Sequence, residues 1–321
     1  MGLKIHRPKR GSMAYYPRKR AESLVAKFRV WPDPRPGKPI LLGFAAYKAG
    51  MAHAVVIDDR PTSPFYGKEV VRPVTILDAP PIKVIAFRAY TYDPWKNLKL
   101  SLGEVWMPDV PKDILRKIPV LPPEKFNKEE MMKKILDNVD VITEVRAIAA
   151  TQPRLSGIGK KTPEILEIPI GGVDDVNQII KFADSILGKD VNINDVFSEG
   201  QYVDVAAITK GKGGLQGVVK RFNVKILPKW HKHRKGYRRI GAIGPQNPAL
   251  TFTTPRPGQM GGLHKRTEYN KRILRIGMNG AEVTPPSSGF PHYGIIKGGP
   301  YIVLEGTVPG VVKRLVTLRF Q

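Results

Sequence analysis

Between residues 40 and 92 the apolar, β-branched residues come in short runs: Ile40-Leu41-Leu42-Gly43-Phe44, Ala54-Val55-Val56-Ile57, 70–77 and 83–90. Turn formers separate them, such as Asp58-Asp59-Arg60-Pro61 and Ala79-Pro80-Pro81. Evenly spaced runs of this kind predict an antiparallel sheet or a small barrel. From 94 to 195 a helical period appears. Asn127 with Glu130 three residues on predicts a capping-box start, and Met131, Met132, Ile135, Leu136 and Val139 form one face. Asp174 or Asp175 predicts the cap of a second helix, with Val176, Ile179, Ile180, Ala183 and Leu187 inward and Gly188 as its stop. Residues 141–149 and 164–170 read as strands, so this stretch is an α+β unit. Its apolar stripes are core faces that ask for no ligand. Strand patterning returns at 202–209, 301–306 and 314–319. The chain reads as one β domain, interrupted by an α+β insertion and then by a second excursion, and it carries no internal repeat.

Two segments have no such period. Residues 1–38 hold Pro8, Pro17, Pro32, Pro34 and Pro36 with Gly11 and Gly37. Proline lacks the amide donor and blocks both helix and central strand, which predicts an extended arm. Tyr15, Tyr16, Phe28 and Trp31 sit among its charges, suited either to stacking on bases or to docking the arm on the body. Residues 243–262 are dense in glycine and proline and predict neither a regular helix nor a central strand. An excursion that long is expected to order on a partner, and so is the arm.

Charge sharpens this division. The net charge is +25, and residues 1–38 carry 11 Lys/Arg against Glu22 and Asp33. Residues 210–275 carry 17 Lys/Arg against Glu268 alone, so these two segments hold the whole excess and the remainder balances to zero. Such blocks repel themselves until something anionic neutralises them. Nucleic acid is the partner that fits, because each phosphate contact releases condensed counterions. A solvated basic face would leave the segregation unexplained, and a membrane-surface role lacks the apolar stripe it needs. No apolar run approaches the roughly 20 residues that span a bilayer. The opening Met1-Gly2-Leu3-Lys4-Ile5-His6-Arg7 is basic with no apolar signal region. The absence of cysteine excludes disulfides, thiolate zinc sites and thiol catalysis, and it fits a reducing cytoplasm.

The stretch 209–217 invites a nucleotide reading that its spacing refuses. Gly211-Lys212 is followed by Gly213 where a Walker loop needs Ser/Thr, and the dinucleotide pattern meets Gln216 at its third glycine. Gly159-Lys160-Lys161-Thr162 fails similarly, with Arg154 in place of the first glycine. Glycines beside lysines still suit close contact with an RNA backbone. His231 and His233 would pair as metal ligands, but Lys229, Lys232, Arg234 and Lys235 around them would repel a dication. No metal or other cofactor is expected. A nuclease needs clustered carboxylates or a positioned base, and the basic segments offer only His264 with Glu268. The chain is therefore expected not to be an enzyme and to have no small-molecule substrate.

Lys210-Gly211-Lys212-Gly213 with Gln216-Gly217-Val218-Val219-Lys220-Arg221-Phe222 resembles the signature of the universal large-subunit ribosomal protein family L-three. Gly43-Phe44 through Met51, residues 231–239 and Gly258-Gln259-Met260-Gly261 match as well. His264-Lys265-Arg266-Thr267-Glu268-Tyr269-Asn270-Lys271, Phe290-Pro291-His292-Tyr293-Gly294 and the arm Arg7-Pro8-Lys9-Arg10-Gly11-Ser12 fit its archaeal and eukaryotic branch. The sequence departs from the family at Leu215, where an aromatic is usual, and at the loop tip Pro245-Gln246-Asn247-Pro248, where tryptophan is common. The resemblance implies a mainly β fold: a translation-factor-like six-stranded barrel with an α+β insertion and long basic extensions. It divides the chain into an arm (1–38), barrel (39–93), insertion (94–195), barrel (196–225), basic central loop (226–275) and barrel strands (276–321). It also implies a cytoplasmic, ribosome-bound protein that binds large-subunit rRNA directly beside neighbouring ribosomal proteins. Such a protein helps begin subunit assembly and supports the peptidyl-transferase region through the central loop. The residues expected to meet rRNA are Lys9, Arg10, Arg18, Lys19 and Arg20 from the arm. From the remainder they are Lys210, Lys212, Lys220, Arg221, His231, Arg234, Arg238, Arg239, Gln246, Arg256, Gln259, His264, Lys265, Arg266, Lys271 and Arg272.

Overall fold

The structure, a computed structural model, describes residues 16, 18–118, 127–242, 246, 247, 259–286 and 288–321, with side chains left out at 212, 213 and 259. In chain order the first elements are β1 (Ile40–Leu41), β2 (Gly43–Ile57), β3 (Glu69–Asp78), β4 (Ile82–Asp93), β5 (Leu98–Trp106), α1 (Lys112–Leu115) and α2 (Lys128–Leu136). Then come β6 (Ile142–Ala150), β7 (Ile165–Gly171), α3 (Val176–Ile186), β8 (Asp190–Val191), β9 (Tyr202–Ile208), β10 (Gly211–Gln216) and α4 (Val218–Phe222). The remaining strands are β11 (Gln259–Gly262), β12 (Lys265–Gly277), β13 (Tyr301–Glu305) and β14 (Leu315–Phe320). The expected mainly β class is what these elements give. Two compact units form: Ser23–Ile208 with Arg266–Gln321, called the body below, and Met1–Glu22 with Thr209–Lys265, called the basic unit.

In the body, strands β12-β13-β3-β2-β14-β9 follow one another in hydrogen-bonded order and close into a barrel. A second antiparallel sheet runs β1-β7-β6-β4-β5, with β8 beside β4. Phe44, Tyr47, Ile76, Leu77, Leu304, Leu315 and Leu318 are buried in the barrel, while Phe87, Ile168, Ile180 and Ala183 fill the space between the second sheet and α3. The sequence suggested separate strands at 40–44 and 54–57, whereas β2 is continuous. A bulge between Lys48 and Gly50 absorbs the irregular stretch and lets pairing with β3 continue to Ile57↔Glu69. Lys48 is buried there, and its ammonium donates to the Val308 carbonyl at 2.6 Å. That burial holds its pKa below the ordinary lysine value. β4 pairs with β5 and β6 rather than with the barrel.

Helices α2 and α3 begin at the expected caps, Asn127 and Asp175, whereas α1 was not expected and the reciprocal Glu130 half of the capping box is not seen at α2. Asp175 accepts from the Asn177 amide and Gly188 follows α3 at φ +76°. Asn127 accepts from the Glu129 amide at 3.2 Å. Buried polar contacts join barrel and insertion: the Tyr47 hydroxyl donates to Thr151 at 2.8 Å, and Asp78, which accepts from the Tyr293 hydroxyl, also accepts from the Gly157 amide. Asp78 is 1% exposed, and burial pushes its carboxyl up to about 6.

Residues 23–38 are part of the body, so this portion of the arm is docked. Ala26 and Phe28 are buried, and the Thr317 hydroxyl donates to the Ala26 carbonyl at 2.9 Å. Gly43 leaves the space that Trp31 fills, since a Cβ there would stand 2.5 Å from the indole. The Arg319 guanidinium lies 4.6 Å above the Phe28 ring, donates to the Val30 carbonyl and pairs with Asp204 at 2.8 Å. The Asp33 carboxylate accepts from the Gly172 amide at 3.0 Å. Two of the aromatics read as either stacking or docking groups are therefore docking groups.

Candidate nucleic-acid interface

The basic unit unites two stretches that are distant in sequence. Together they hold 20 Lys/Arg and one acidic residue, Glu22. Its frame is small. β10 and β11 pair as a two-stranded ribbon, with Leu215↔Met260 and Gln216↔Gln259 in register. Residues 259–262, expected to be irregular, thus form one strand of a ribbon that has only edges. The Gln216 side chain lies across Gly261, in the space where a Cβ would stand. Val218, Phe222 and Val224 make a compact apolar centre, with Tyr16, Val219 and Ile240 against it.

Residues 18–21 of the arm are laid along this frame by backbone contacts and by two arginines. The Ala21 amide donates to the Leu263 carbonyl at 2.7 Å, and His264 Nδ1 lies 2.7 Å from the Lys19 carbonyl. Arg18 donates to the Arg221 carbonyl at 2.9 Å, and Arg221 donates to the Arg18 carbonyl at 2.7 Å. The Arg18 guanidinium stands 4.7 Å from the Phe222 ring centre and 5.2 Å from Tyr16. Burial, and then the neighbouring Arg18, pull the Arg221 pKa down. These two arginines and His264 clasp arm to frame.

The other cations of the unit, among the described side chains, face outward. Lys19, Arg20, Lys210, Lys220, His231, Arg234, Arg238, Arg239 and Lys265 are exposed, as is Gln246. Arg20 also reaches Met260 Sδ at 2.9 Å. A groove lined by Lys232, His233, Lys235, Arg238 and Arg239 has Val218 and Leu227 among its apolar walls. Trp230 stacks edge-on with His231 at 4.8 Å and carries the Lys232 ammonium at 5.2 Å, while Lys229 lies 5.2 Å from the Tyr237 ring. Cations interleaved with aromatic faces can take phosphates and bases together. Trp230 and Tyr237 were not singled out from the sequence, although their alternation with lysines was the available signal.

The remaining expected positions divide. Lys9, Arg10 and Arg256 lie outside the described residues, as do the side chains of Lys212 and Gln259. Arg266, Lys271 and Arg272 fall in the body, on β12. There Lys271 pairs with Glu268 at 2.8 Å and Arg272 with Asp59 at 2.7 Å.

The whole chain, residues 1–321, matches the family model described as Ribosomal protein L3. It is 64% identical to the large ribosomal subunit protein uL3 of Pyrobaculum calidifontis over 320 residues, covering 100% of this chain and 93% of that one. The protein of the same name from Caldivirga maquilingensis is 55% identical over 323 residues (100% and 91%), and that from Methanosphaerula palustris is 46% identical over 319 residues (98% and 92%). That family is a structural component of the large ribosomal subunit, not an enzyme family. With identity sustained across a body and a basic unit alike, this chain belongs to the ribosomal protein L3 family.

Proposed function

We propose that this chain is a structural constituent of the large ribosomal subunit that binds large-subunit rRNA directly, chiefly through the basic unit. One observation carries the reading: packing gathers most of the excess positive charge, +19 of +25, into one unit. The unit that folds around β10 and β11 holds 20 cations and one acid, while the body keeps the other 27 acids beside 33 Lys/Arg. A charge ratio of that kind in a unit with so small an apolar centre needs polyanion neutralisation. In this reading Lys19, Arg20, Lys210, Lys220, His231, Arg234, Arg238, Arg239 and Lys265 meet phosphates, together with Lys9, Arg10, Lys212 and Arg256. Arg18, Arg221 and His264 act mainly by holding the arm in place, and Arg266, Lys271 and Arg272 contribute from the body. The barrel is the translation-factor-like platform, and its basic extensions are the arm up to Glu22 and the central loop from 226 to Lys265, since residues 23–38 belong to the body and Arg266–Arg275 run in barrel strand β12. The central loop, with Gln246 at its tip and Gln259 at its return, supports the peptidyl-transferase region. The protein helps begin assembly, alongside neighbouring ribosomal proteins, in the cytoplasm.

Binding to purified large-subunit rRNA across a salt series tests this. With about 10 phosphates neutralised, log affinity falls with log salt at a slope near −9 on duplex RNA and less steeply on looped RNA. A slope near −1 would overturn the proposal.

A further inference from the structure

The turn joining β4 and β5 presents Trp95 with 97% of its surface in water. An indole so placed contributes nothing to the core, yet the turn beneath it is firmly built. Asp93 and Leu98 close the strands. The Asp93 carboxylate accepts from the amides of Trp95 at 3.0 Å and Lys96 at 3.3 Å. Pro94 fixes its own φ, Asn97 takes the left-handed conformation at φ +50°, and the Tyr92 hydroxyl bonds to the Asn97 side chain. A ring carried on a preordered turn loses little freedom when something covers it.

We propose that this turn is an RNA contact outside the basic unit, in which Trp95 stacks on an unpaired base of large-subunit rRNA. The proposal rests on the rRNA-binding reading and adds a site that the charge count does not reveal, because the body is near neutral. The chemistry around the ring favours RNA. Its neighbours at the tip are the cation Lys96 and the amide of Asn97, and the nearby acid, Asp93, is engaged by backbone amides. One flat ring beside one cation matches a base and its phosphate. A protein hot spot is instead ringed by apolar contacts that exclude water. The exposed Leu98 and Leu100 do not supply such a ring. Their register places them on the sheet face that carries Gly103, where Ile135 of α2 packs, rather than at the tip.

The test uses the full chain, purified large-subunit rRNA, and the variants Trp95→Ala and Trp95→Phe. Trp95→Ala is expected to weaken binding about 5- to 150-fold, with the salt slope and the thermal midpoint unchanged. Trp95→Phe keeps a stacking face and should retain most of the affinity. The Trp95 signal, taken as the fluorescence that Trp95→Phe removes, should lose its accessibility to acrylamide on RNA. Affinity within twofold of wild type for Trp95→Ala, or unchanged quenching, overturns this proposal alone when the wild-type slope is steep. A wild-type slope near −1 overturns the rRNA reading and this contact with it. Shielding of Trp95 in intact subunits but not on rRNA assigns the ring to a protein neighbour and overturns the RNA contact.

Discussion

Replacing Asp78 by asparagine should remove a pH dependence from the stability of the body. Asp78 is buried on β3, where burial lifts its carboxyl from 3.8 to about 6 and the bonds from Tyr293 and the Gly157 amide restrain the rise. The folded chain therefore keeps this proton to a higher pH than the unfolded chain does. Stability from Asp78 is fully present below the unfolded value, and it is lost as pH rises through about 6. A shift of about two pKa units corresponds to about 3 kcal/mol, so at neutral pH the ionised group costs the fold about that much. Asparagine preserves the acceptor for Tyr293 and has nothing to ionise. Its amide hydrogens add a constant offset, which the comparison across pH cancels. Urea unfolding of both chains at fixed ionic strength, from about pH 4 to pH 7.5, gives the measurement. The variant should gain about 3 kcal/mol on the wild type over that range. Tyr293→Phe, which deletes the hydroxyl that favours the charged form, should move the wild-type transition to higher pH. A difference between wild type and Asp78→Asn that changes by less than about 0.5 kcal/mol across this pH range would refute the reasoning, since a one-unit shift alone is worth about 1.4 kcal/mol.

Arg319→Met strands the buried Asp204 carboxylate and should cost about 3–5 kcal/mol. It should also speed tryptic cleavage after Lys27 and Arg29, and cleavage at the wild-type rate would show that Arg319 does not hold the docked segment. Asn127→Ala removes the acceptor for the Glu129 amide and should cost about 1 kcal/mol. Hydrogen exchange in the first turn of α2 should rise accordingly, whereas unchanged protection would dismiss the cap. Arg238→Ala with Arg239→Ala should reduce the steepness of the salt slope by about 2 and weaken binding evenly across RNA sequences, without moving the thermal midpoint. Loss confined to one RNA sequence would mark these arginines as base readers instead.

The sequence disclosed most where a local rule decides the outcome. Asn127, Asp175 and Gly188 mark helix ends because each satisfies orphan backbone groups by itself or adopts a conformation that others avoid. The charge boundary was legible because cations and acids do not depend on distant neighbours to be counted. The continuity of β2 was hidden since Lys48 and Gly50 resemble a break, and only pairing with β3 shows that a bulge bridges them. Strand β5 was missed, its first half lying exposed at a sheet edge. Phe28 and Trp31 suited base stacking and docking equally. The vacancy at Gly43 and the guanidinium of Arg319, both remote in sequence, decide between them. Likewise Arg18 and Arg221 look like any other phosphate-binding pair until each is seen to hold the other's carbonyl.

The barrel's closing order has a consequence for how the chain is made. β14 lies between β2 and β9, with Leu315 opposite Tyr47 and Val316 opposite Ala207. Residue 47 is translated long before residue 315, and at about 5–20 residues per second the interval is on the order of tens of seconds. During that time β2 has β3 as its hairpin partner, but its other edge awaits a strand not yet synthesised. That open edge is a template for pairing with foreign chains. Biosynthesis of this protein thus includes a window in which solubility depends on shielding from outside the chain, and the window ends only when β14 slides between its two neighbours.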